Sequence, residues 1–179
     1  MKTPTSPITI LHLKNLNKQY EKMSSQDRID GVRTMIQDAD FAERWVLQNY
    51  PNLKKNNDLK ATDLVDSNGT PAVEVKFRAG PRLDDAESTG NFFFEKVTHA
   101  SDKRSISKTW YECPKYLATV TSDGTIWMIA YKRMRELLKD ENSNIQYNMR
   151  TSAHDTYGLV IHYSELKRLG LLKIVEVAV

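Results

Sequence analysis

Leu59-Lys60-Ala61-Thr62-Asp63-Leu64-Val65-Asp66-Ser67-Asn68-Gly69-Thr70-Pro71-Ala72-Val73-Glu74-Val75-Lys76 is the stretch on which the reading of this chain turns. Two short β-prone runs flank Asn68-Gly69, a dipeptide that accepts positive φ at both central positions of a type I′ hairpin turn. With those two as the loop, Ser67 pairs with Thr70 and Asp63 lies opposite Glu74. Alternation along a strand then puts Lys76 on the same face as Glu74. Opposed residues in a hairpin have Cβ atoms about 4.5–5.5 Å apart, and like charges there are destabilising. A divalent cation between the carboxylates converts that repulsion into coordination by hard oxygen ligands. The register decides everything: a three-residue loop would set Asp63 against Val73 and split the patch.

Composition narrows the class. The chain has 179 residues, a net charge of +3 and one cysteine, Cys113. That length suits a single domain over residues 1–179 with a sizeable core. No apolar run approaches the ~20 residues of a membrane span, and the first residues lack a signal-peptide core. One cysteine excludes an intrachain disulfide and a Cys-rich zinc site. These absences point to a reducing, cytoplasmic setting. The net charge alone does not prove a nucleic-acid partner, but Lys76, Arg78, Arg82, Lys96, Lys103, Arg104 and Lys108 gather mid-chain.

Outward from the hairpin, Asp40-Phe41-Ala42-Glu43 has the form of a capping box starting a helix through Trp45, Val46 and Tyr50, stopped by Pro51. Glu43 is then either a helix cap or an additional acid near the patch. Residues 78–91 read as a loop. Phe92-Phe93-Phe94-Glu95-Lys96-Val97 reads as a strand, with Glu95 a candidate third carboxylate. A loop and short helix follow over 98–112, where Trp110 and Tyr111 are either core or platforms for unpaired bases. Strands are expected over 116–121 and 125–131 around Asp123-Gly124, then a helix, a polar loop over 140–155, and a final strand, short helix and strand to Val179.

The order helix, hairpin, third strand, helix, fourth strand, together with Asp63…Glu74-Val75-Lys76, resembles the PD-(D/E)XK, or restriction-endonuclease-like, nuclease superfamily. The resemblance covers roughly residues 25–140. Thr62 stands where the superfamily name has Pro, and Thr89-Gly90-Asn91 leading into Phe92–Glu95 looks like a pattern in some phage-type members. No Gln-x-x-x-Tyr motif is present, since Ser107 stands four before Tyr111. The resemblance implies an α/β fold: a restriction-endonuclease-like core with a mixed central sheet (αβββαβ) flanked by helices, and a C-terminal strand-helix-strand packed on it over 141–179. It implies a Mg²⁺-dependent DNA endonuclease, with Mn²⁺ as a substitute. Asp63, Glu74 and the Val75 carbonyl would bind metal, with Glu95 as a further ligand. Lys76 would position water and steady the phosphate, and Glu43 would be an added acid. Arg78, Arg82, Lys103, Arg104 and Lys108 would hold the DNA backbone. A homodimer would suit a double-strand cutter, and a phage-type member would act in its host's cytoplasm. Two other classes compete. One is a catalytically silent nucleic-acid-binding or assembly protein on the same fold. The other is an α/β interaction protein whose hairpin charges are surface decoration.

Overall fold

The structure is a computed structural model describing residues 7, 9–21, 32–58, 61–98, 105–152 and 155–177. Two helices, α1 (Ile10–Glu21) and α2 (Val32–Asn49), precede the hairpin. The second corrects the capping-box reading: α2 is continuous through Asp40 and Glu43, which therefore sit inside it. Its buried residues Ala42, Trp45 and Val46 form an apolar stripe at helical spacing, and it ends at Asn49, before Pro51.

Six strands make a mixed central sheet. They are β1 (Lys54–Lys55), β2 (Leu64–Val65), β3 (Pro71–Arg78), β6 (Tyr116–Thr121), β7 (Ile126–Ile129) and β10 (Leu172–Val175), in that spatial order. Only β3 and β6 run parallel; the other neighbours are antiparallel. A second, antiparallel sheet has the order β5 (Ser105–Ile106), β4 (Asn91–Thr98), β9 (Tyr157–His162), β8 (Asn148–Thr151). Three short helices complete the described chain: α3 (Lys108–Glu112), α4 (Tyr131–Lys139) and α5 (Tyr163–Arg168).

Both faces of the central sheet are covered, so its inner strands bury side chains on both sides. Val73, Val75, Ala118, Val120, Ile126 and Met128 pack with Leu13, Trp45 and Val46 from the helices. On the other face Leu117, Trp127 and Ile129 meet Phe92, Phe94, Leu159 and Ile161 of the second sheet. The intermediate residues of β3, Glu74 and Lys76, therefore point toward the second sheet.

Two expectations about topology need correction. The strand containing Phe92–Val97 leaves the central sheet and founds the second one. Its Phe92 and Phe94 are drawn onto Trp127 and Tyr131, and β6 takes the place beside β3. The C-terminal part is woven into both sheets rather than packed on a finished core: β9 pairs along β4, and β10 extends the central sheet beside β7. The polar stretch 140–155 contains β8, whose four residues are all exposed. Among the described residues no helix is long and apolar enough to cross a membrane.

Candidate active site

The hairpin turn is built differently from the type I′ expectation. Asp66 Oδ1 accepts from the amides of Asn68 and Thr70, both at 2.9 Å, and Asp66 N donates to Thr70 O at 3.0 Å. Only Gly69 has positive φ, at 77°. The loop is thus Ser67-Asn68-Gly69, three residues, because the Asp66 side chain captures the amides that a two-residue turn would direct elsewhere. That loop pairs Val65 with Pro71, but a bulge follows and Leu64 pairs with Val73. One extra residue in the loop is offset by one extra residue, Ala72, in β3. Continued by one position, the register sets Asp63 against Glu74 after all.

Side-chain contacts show the same convergence. Asp63 Oδ2 accepts from Val75 N at 2.8 Å. Lys76 Nζ donates to Glu74 Oε1 at 2.8 Å. Lys108 Nζ lies 3.7 Å from Asp63 Oδ1 and 3.5 Å from Glu74 Oε2, and donates to Ala61 O at 2.7 Å. The two carboxylates thus meet across one ammonium nitrogen. The Val75 carbonyl leaves its strand on the same edge as the N–H that holds Asp63, which faces it toward the site.

Burial gives the carboxylates unequal character. Asp63 is pushed up to about 6, first by desolvation and then by the Glu74 charge, against the pull of Val75 N–H, Lys76 and Lys108. Desolvation works against ionised Glu74 too, but Lys76, Lys108 and the Thr109 hydroxyl outweigh it and hold Glu74 below its usual value. Lys76 is held above its ordinary value: desolvation opposes its charge, while Glu74, Asp63 and Glu95 favour it. The Lys76 side chain remains 56% exposed at the rim. Glu74 Oε2 and the Tyr131 hydroxyl are buried without hydrogen-bond partners. Burial pushes that Tyr131 phenol up to about 12.

A cleft of about 200 Å³ opens between the sheets beside this cluster. Lys76, Arg78, Glu95, Thr109 and Tyr131 are among its lining residues. Glu95 of β4 is exposed, and its charge is among those that favour protonated Lys76. Among the described residues no group of three or more His, Cys, Asp or Glu side chains is arranged to hold an ion, so Glu95 does not complete a three-carboxylate cage with Asp63 and Glu74. A larger groove, about 1080 Å³, adjoins the end of α3 at Glu112 and is lined in part by Tyr50, Tyr116, Lys115, Lys132 and Lys173.

Other expected site residues lie elsewhere. Glu43 is on the helical side of the central sheet, where its Oε2 meets Lys55 Nζ at 3.0 Å; that cation, not Asp63 or Glu74, is its partner. Arg82 is occupied by Asp84, Asp123 and Glu176 at 2.9, 3.3 and 2.9 Å, so its charge ties the loop after β3 to the sheet rather than facing a polyanion. Lys108 is inside the site rather than on a DNA-facing stripe. Arg78 lines the cleft and donates to Asn91 O at 2.9 Å. Lys103 and Arg104 lie outside the described residues. Trp110 is covered by the Arg135 guanidinium, 3.4 Å from its ring centre, whereas Tyr111 is exposed.

Sequence reasoning missed Glu112. Its Oε2 accepts from both the amide and the hydroxyl of buried Thr62, which fixes the residue before Asp63. Ser107 is the second omission. It caps α3 through Trp110 N and donates to Glu95 O at 2.8 Å, so the helix carrying Lys108, Thr109 and Glu112 is tied to the second sheet. No local pattern joins Thr62 to a residue fifty positions away. The Ser at the start of α3 was a legible cap signal.

No family model matches the chain, and no curated protein matches it.

Proposed function

We propose that this protein is a divalent-metal-dependent deoxyribonuclease with a restriction-endonuclease-like site, hydrolysing phosphodiester bonds of DNA. One observation carries the reading: part-buried Asp63 and buried Glu74, neighbours of like charge, both lie within ion-pair distance of a single cation position. The donor set fits Mg²⁺ or Mn²⁺. Mg²⁺ is usually held by one or two carboxylates and keeps several waters. Glu74 Oε2 is a buried acceptor in need of a partner, and a dication would relieve the repulsion that raises Asp63. Asp63, Glu74 and the Val75 carbonyl would hold the ion, which supplies an acidified water and charge relief on the phosphate.

The chain's own residues do the rest. Lys76, kept protonated by Glu74, is a donor aimed into the cleft, suited to steadying a non-bridging oxygen rather than taking a proton. Arg78 stands two residues along the same face and lines the same cleft, where it would engage a neighbouring phosphate. Glu112 and Ser107 are positioning residues: they hold Thr62 and α3. DNA is the partner this chemistry fits, and a homodimer would place two such clefts on one duplex.

The test is a cleavage panel over duplex, single-stranded, flap and four-way-junction DNA with Mg²⁺ or Mn²⁺. Cutting should vanish with EDTA and in Asp63→Ala and Glu74→Ala, and Lys76→Ala should lower it on the order of 10²–10³-fold. Undiminished cutting by all three variants would remove the site from the reaction. One observation favours a second reading, DNA binding without cleavage: Lys108 already pairs with both carboxylates. DNA affinity with no strand scission under any divalent ion would select it.

A further inference from the structure

We infer that Lys108 is a built-in counter-ion that occupies the divalent-metal position in the metal-free protein and is displaced when the ion binds. The inference rests on the metal-site reading above and assigns a role to a residue outside the acid-acid-lysine motif. Three contacts define the seat: Asp63 Oδ1 at 3.7 Å, Glu74 Oε2 at 3.5 Å and the Ala61 carbonyl at 2.7 Å. These are oxygens of the kind a hard cation seeks, and the ammonium nitrogen stands among them. Glu74 divides its two oxygens between two lysines: Oε1 is hydrogen-bonded to Lys76, while Oε2 has Lys108 only at ion-pair distance. The Lys108 contact is therefore the looser of the two and the one an arriving ion would replace.

The anchor and the exit are both visible. Lys108 is the first residue of α3, whose cap Ser107 is fixed to Glu95 O and Lys96 O of β4. The backbone stays while the flexible stem, 33% exposed, can swing outward. Asp63 and Glu74, one part-buried and one buried, would repel with no cation between them, so the lysine stabilises the metal-free protein and in doing so competes with metal. Once displaced, the ammonium remains tethered beside the ion, where an incoming phosphate would supply its countercharge.

Metal-free parent and Lys108→Met proteins, both prepared with EDTA and dialysed, are titrated with Mn²⁺ by calorimetry and followed by thermal melting. The neutral variant should bind Mn²⁺ at least tenfold more tightly. It should melt lower than the parent without metal and gain more in Tm when metal is added. Equal or weaker Mn²⁺ binding by Lys108→Met, with the parent binding, overturns the counter-ion role and leaves the metal site standing. No Mn²⁺ binding by either protein at millimolar concentration overturns both. Should Lys108→Met fail to fold, the parent answers alone through lysine-ζ ¹⁵N NMR during a Ca²⁺ titration. The Lys108 signal should shift in step with saturation; an unmoved signal at saturating Ca²⁺ overturns the inference.

Discussion

Asp63 is the residue through which the site reports on pH. Its folded value of about 6 lies above the ordinary 3.8, so the native state binds more protons than the unfolded chain between those limits. Stability therefore falls as pH rises from about 4 to about 6 and levels off above. Asp63→Asn in EDTA should be more stable than the parent at pH 7.5, by at most about 3 kcal/mol for a two-unit shift, and the advantage should disappear by pH 4. Chemical denaturation at the two pH values measures it, and an Asn variant that is no more stable at pH 7.5 contradicts the assignment of strain to this carboxylate. The placing of Glu74 and Lys76 on one face was legible from strand alternation, but the two-residue turn expected to set Asp63 against Glu74 did not form, and a bulge in β3 restored that register. Lys108 was legible as a cation but not as a member of the site, because its approach depends on a helix whose position no local pattern sets.

At the scale of elements, the hairpin shows how a register survives a wrong turn. The loop gained a residue through Asp66, and the bulge at Ala72 removed the consequence. Val73 and Val75 belong in the helix-side core, and a one-residue slip would drive them out of it and bury the charges instead. Core patterning therefore overruled turn chemistry. The pairing of β4 with β9 is equally exacting. A Cβ at Gly158 would stand 2.1 Å from Phe94 O, beside the irregularity between Glu95 and Val97. Gly158→Ala should cost about 1–3 kcal/mol or more, lowering Tm by several degrees in a protein of this size. An unchanged melting curve would mean that the strands are not this close. The three phenylalanines announced a strand, but nothing in them announced which sheet it would join. That depended on the uncovered face of Trp127 and Ile129.

At the scale of the molecule, charge is sorted into two populations that composition cannot separate. Arg82 is spent on Asp84, Asp123 and Glu176, while Arg78 faces the cleft with no carboxylate partner among the described residues. Each phosphate contact contributes about one unit to the slope of log affinity against log salt. Arg78→Ala should reduce that slope for DNA by about one, whereas Arg82→Ala should leave the slope alone and lower Tm. A reduced slope in Arg82→Ala would return it to the DNA interface. Both arginines read alike in the sequence, since pairing with Glu176 is a contact across 94 positions.

Short-range rules determined the elements around the hairpin, the alternation that puts Glu74 and Lys76 on one side of β3, and the strand and helix content of most of the rest. They suffice because φ/ψ preference and side-chain periodicity act over a few residues. Tertiary structure alone decided that two sheets face each other, that α3 inserts Lys108 between the carboxylates, and that Glu112 holds Thr62. Those outcomes follow from which apolar faces must be covered and which buried charges must be met, and such demands are settled only among residues that the chain brings together from far apart.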